Sequence, residues 1–77
     1  MENKKRIATC MSEVYQTLQK EGYNPESQIT GYILSGDPTY ITSKSGARVK
    51  MQVTEPSEIL ELLLESYFAI GQRENSR

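Results

Sequence analysis

The sequence predicts an all-α subunit of three to four helices that forms an intertwined homodimer. Three observations carry that expectation. Apolar residues recur at helical spacing in two long segments, 4–21 and 56–70. Asn24-Pro25, Asp37-Pro38 and Glu55-Pro56 each place a polar residue before a proline, the pattern of a helix start. The last segment carries more apolar surface than the other helices of a 77-residue chain can cover.

In the first segment Ile7, Met11, Val14 and Leu18 follow i, i+4, i+7, i+11 spacing, with Cys10 and Tyr15 beside them. At about 100° per residue this stripe spans roughly 140°, the width of one buried face. The predicted helix covers about 4–21, and Gly22 supplies its stop. Asn24 and Pro25 then open a second helix, 25–35, with Ile29, Tyr32, Ile33 and Leu34 apolar. Gly31 in its middle costs about 1 kcal/mol relative to Ala, which suggests close packing against another backbone. Gly36 ends that helix, and Asp37-Pro38 predicts a short turn over 38–41.

Residues 42–54 leave three options open. Thr42 to Gly46 is loop-like, whereas Val49, Met51 and Val53 alternate with Lys50 and Gln52 at a strand period. A lone strand is not stable. The segment therefore pairs with a strand of a second copy, forms a short helix, or stays extended. Thr54 or Glu55 caps the last helix, which runs from Pro56 to about Ile70 and stops at Gly71. Residues 72–77 are expected to be a disordered polar tail, and 1–77 to form one domain.

Composition narrows the function. A domain this small buries only about 60% of its unfolded surface and gains from a disulfide, a metal or a partner. Cys10 is the only cysteine and there is no histidine, so neither an internal disulfide nor a structural zinc site is expected. Oligomerisation remains. Cys10 itself reads as a small apolar residue of the first helix. Net charge is −1, which leaves no electrostatic footprint for nucleic acid. Lys4-Lys5-Arg6 reads as a solvated run. A helical nucleic-acid-associated protein is the rival reading, because the second helix, the corner and the next segment could mimic a helix-turn-helix. Against it, the second helix has no basic residue. No apolar run approaches the roughly 20 residues of a membrane span, and no apolar stretch follows the basic start. The chain reads as cytoplasmic.

Catalytic chemistry is not expected. Most acids fall on predicted polar faces or termini, and no histidine can activate a serine or cysteine. The glycines match neither phosphate-binding fingerprint, so no cofactor and no metal are expected. The last helix points to a partner instead. Ile59, Leu60, Leu62, Leu63, Leu64, Tyr67, Phe68 and Ile70 cover roughly 240° of its circumference. Glu58, Glu61 and Glu65 fill the rest. A twofold homodimer is the commonest solution, with Ile59, Leu60, Leu63, Leu64, Tyr67 and Phe68 as the expected interface.

One block of residues is distinctive. Gly22-Tyr23-Asn24-Pro25, Gln28-Ile29, Gly31-Tyr32, Leu34-Ser35-Gly36-Asp37-Pro38 and Tyr40-Ile41 follow one another, with Val14-Tyr15 and Leu18 before them. Ala47-Arg48 and Glu58-Ile59 through Ser66-Tyr67 come after. The pattern resembles the signature of the IreB family of small regulatory phosphoproteins of Gram-positive bacteria, over about residues 6–68. The resemblance implies helical homodimers without known enzymatic activity. It implies substrates of a transmembrane Ser/Thr kinase with extracellular PASTA repeats, acting as negative regulators in cell-envelope stress and cephalosporin resistance. Phosphorylation in the family falls on threonines before the first helix. Here that stretch is shorter, and the first threonine, Thr9, lies inside the predicted helix and is the candidate acceptor. A second departure is Val49–Pro56, where the family has a basic, helix-favouring stretch. Tyr23, Tyr32, Asp37, Tyr40 and Arg48 are candidates for docking the kinase or a protein effector. The same block also reads as a tight inter-helix corner.

Overall fold

The computed structural model describes the backbone of residues 2–75 and the side chains of residues 3–69. Four α-helices follow one another: α1 (Glu2–Lys20), α2 (Pro25–Ser35), α3 (Ala47–Met51) and α4 (Pro56–Asn75). Two 3-10 turns, Pro38–Tyr40 and Lys44–Gly46, lie between α2 and α3. No strand occurs among the described residues, so the all-α expectation holds. Of the three options for 42–54, the short helix is realised. A strand would lack a ladder partner, whereas α3 buries Ala47 and Met51 against the rest of the chain.

Local chemistry sets the boundaries. Gly22, at φ 87°, ends α1: the Tyr23 N–H donates to Leu18 O and the Gly22 N–H to Gln19 O, the paired bonds of a Schellman cap. Asn24 Oδ1 accepts from the Ser27 N–H at 2.9 Å, with Pro25 at the first helical position of α2. The Glu58 carboxylate accepts from the Glu55 N–H at 3.1 Å, half of a capping box, which identifies Glu55 as the cap of α4. Gly71 does not stop α4, which continues to Asn75 through the expected polar tail. A lone glycine costs only about 1 kcal/mol inside a helix, and Gln, Arg and Glu follow it.

The core is one cluster. Ile7, Cys10, Val14 and Leu18 on α1 meet Ile29 and Tyr32 of α2, Ile41, Met51 of α3 and Ile59 of α4. The buried Tyr32 hydroxyl donates to Thr54 O at 3.0 Å, so its polar tip is satisfied inside. Gly31 packs closely as expected, but against a side chain rather than a backbone. A Cβ there would lie 2.9 Å from Cγ of Tyr40 and nearer still to Cδ1.

The molecule is elongated, 44 × 24 × 21 Å. Its radius of gyration is 13.3 Å, against about 11.5 Å for a compact domain of this length.

Candidate functional site

The site is built on α4. At about 100° per residue, Ile59 and Leu62 share one side of the helix, while Leu63, Tyr67, Leu60, Leu64 and Phe68 form a contiguous arc of roughly 140° beside it. The first side meets α1 and α2: Ile59 is fully buried and Leu62 half-buried against the core. The second is largely open to solvent. Leu60 is 45% exposed, Leu63 42%, Leu64 48%, Tyr67 69% and Phe68 57%. Tyr67 and Phe68 touch edge to face, centroids 5.1 Å apart, which fixes two large rings on this surface.

The arc continues into a groove. Leu63 and Leu62 of α4 face Met11 and Tyr15 of α1 across a concavity of about 320 Å³. A second hollow of about 180 Å³ joins it, where Met11, Tyr15 and Leu63 meet Ile29 and Ile33 of α2. One polar pair stands at its rim. The Tyr15 hydroxyl donates to the Glu26 carboxylate, which raises the phenol's pKa and lowers that of the acid. The opposite edge of α4 is polar: Lys4 pairs with Glu65 at 2.6 Å, and Asn3 donates to Glu58. An apolar strip, one helix and one groove wide, thus runs along the protomer with charged groups on its flank.

The sequence-derived candidates divide. Five of the six interface residues lie on this open arc. Ile59 does not: it is 0% exposed and belongs to the protomer's own core. The docking candidates disperse. Tyr32 is buried and bonded to Thr54, so it cannot be a docking residue. The Arg48 Nε–H donates to Ile41 O at 2.8 Å and pins the turn before α3. Asp37 accepts from the Thr39 N–H and hydroxyl, which cap the first 3-10 turn and lower its pKa. Tyr23 is half-buried beneath the Lys44 ammonium, 5.7 Å from the ring centroid. Tyr40 is half-exposed and covers Gly31. Asp37, Tyr40 and Arg48 build the corner between α2 and α3, while Tyr23 stands between α1 and α2 and Tyr32 reaches Thr54 after α3. Thr9 is exposed but sits in the interior of α1. Met11, Tyr15 and Ile33, which line the groove, were legible in sequence as apolar helix residues, and nothing in their spacing placed them at an open concavity.

No group of three or more His, Cys, Asp or Glu side chains that could hold a metal occurs among the described residues. Cys10 is buried with its thiol 3.0 Å from Lys50 O, and burial, then Glu13, pushes its pKa up. No helix among the described residues is long and apolar enough to cross a membrane.

Fold and site together define a small all-helical domain whose main surface feature is an open apolar strip. The chain belongs to the IreB family: the model of the IreB regulatory phosphoprotein matches residues 1–69. It is a regulatory protein by that membership.

Proposed function

We propose that the chain is a non-catalytic cytoplasmic regulator that works as a homodimer. In this reading it is a substrate or adaptor of a PASTA-type Ser/Thr kinase pathway controlling cell-envelope stress and cephalosporin resistance. The observation that carries the reading is the uncovered arc of α4. A second copy fits this face because a twofold axis pairs the strip with itself, apolar against apolar. The dimer then presents its polar flanks to a kinase or a protein effector.

The test is made in cells. A strain lacking the chain is complemented with the wild type or with the Leu60→Glu/Leu64→Glu variant, and cephalosporin susceptibility is measured. Deletion shifts susceptibility, the wild type restores it and the variant does not. Full restoration by the variant removes the α4 face from function, and no shift on deletion removes the proposed pathway.

A further inference from the structure

We propose that Ser43 is a phosphoacceptor of this chain, on a surface loop at the far end of α1 from Thr9; the inference rests on the regulatory-phosphoprotein reading. A protein kinase needs a hydroxyl that is exposed, free of internal bonds, and on backbone that can be drawn out of the fold at low cost. The exposed hydroxyls meet these needs unequally: Ser12, Ser27, Thr30, Ser57 and Ser66 all stand on helical backbone of α1, α2 or α4. Thr9 lies between buried Ile7 and Cys10 on a 19-residue helix. Drawing it out would unwind α1 and uncover the core. Ser35 donates to Gly31 O at 2.7 Å, and Thr39 donates to the Asp37 carboxylate at 2.8 Å. Ser45 donates to Glu21 at 2.8 Å from a left-handed backbone, φ 54°. Thr42 is half-buried and its Oγ1 accepts from the Lys44 N–H.

Ser43 combines the three. It is exposed, lies outside the α-helices, and makes no side-chain cap bond to the turn that follows. Its backbone takes part in one loose turn bond, the Gly46 N–H to Ser43 O at 3.3 Å. Buried Ile41 and Ala47 anchor the loop on either side. Residues 42–46 lift with the core closed once two side-chain tethers open, the Thr42 N–H to Gln28 Oε1 at 2.9 Å and the Ser45 hydroxyl to Glu21, and Gly46, at φ 76°, sits at one hinge.

In the transfer, Ser43 Oγ attacks the γ-phosphorus of a nucleoside triphosphate held by the kinase. The new O–P bond forms as the bond to the β-phosphate oxygen breaks. The serine proton passes to the kinase's base and the nucleoside diphosphate leaves. The phosphate adds about −1.5 to −2 charges next to Lys44. It competes with the Tyr23 ring for that ammonium, and its charge lies two residues from the Ser45–Glu21 bond. Modification thus loosens the loop from the end of α1.

The full chain is isolated from its own cells, grown with and without a cell-wall antibiotic, and phosphate is placed by fragmentation mass spectrometry. Phosphate is expected on Ser43, lost in Ser43→Ala and kept in Thr9→Ala. Amide exchange over 42–46 should be several-fold faster in the phosphorylated form. Phosphate confined to other residues overturns the Ser43 assignment while the phosphoprotein reading stands. Phosphate absent under every condition overturns both.

Discussion

The first and last helices are nearly equal in length, 19 and 20 residues, yet they do opposite things with their apolar residues. In α1 Ile7, Val14 and Leu18 of the predicted stripe, with Cys10, are spent inside the chain, each at most 7% exposed, and Met11 and Tyr15 are half-buried beside the groove. Among the described side chains of α4 only Ile59 is fully buried, and five large apolar residues face outward. A stripe of roughly 140° matches one neighbour, whereas an arc of roughly 240° needs a second. The contrast teaches that apolar width, rather than apolar content, separates a helix that completes a fold from one that awaits a partner.

That contrast can be broken in a definite order. Leu18→Ala on α1 should cost about 2–5 kcal/mol, because it empties a fully buried site. Urea unfolding would show the loss, and a cost below about 1 kcal/mol would mean that the α1 face is not the core. On α4, Leu60→Glu/Leu64→Glu should keep the helical circular dichroism while reducing the particle to one chain. Retained mass would show that the arc is not the contact.

Gly31→Ala sharpens the comparison at the corner. The new methyl group meets the Tyr40 ring, so the expected loss is about 1–3 kcal/mol. Adding Tyr40→Ala should remove the clash and leave the gain of about 1 kcal/mol in helix propensity. Loss persisting in the double variant would mean that something other than the ring excludes a side chain there.

The smallest effect is with pH. Backbone donation from Glu55 and the side chain of Asn3 lower the Glu58 pKa from its ordinary 4.5, and donation from Thr39 lowers that of Asp37 from 3.8. A lowered folded pKa means the unfolded chain takes up protons first. Stability from these caps is full above the ordinary values and fades as pH falls through the folded ones. Thermal midpoints should drop on acidification below about pH 4.5, less so in Asp37→Asn. An unchanged slope in that variant would remove Asp37 from the acid response.

How much of this was legible in the sequence depends on how local the cause was. The starts of α2 and of the first 3-10 turn follow from Asn24-Pro25 and Asp37-Pro38, whose caps form with residues two or three positions on. The width of the α4 arc was legible too, because periodicity alone measures it. Its orientation was not: nothing in the spacing says that Ile59 turns inward and Leu63 outward, since that depends on where α1 and α2 lie. Val49, Met51 and Val53 mislead for a related reason. Val49 lies on the outer side of α3 and Val53 in the turn after it, both exposed, while Met51 turns in. The same triplet satisfies a strand period. Tyr32 stood in the apolar set with Ile29 and Ile33, but the partner of its hydroxyl, Thr54 O, lies 22 residues away and left no local sign.

Sedimentation equilibrium of the wild-type chain at micromolar concentration tests the unpartnered face of α4 most directly. The expected mass is twice 8.8 kDa, with full helical signal. A well-folded species of 8.8 kDa across the whole concentration range would contradict it.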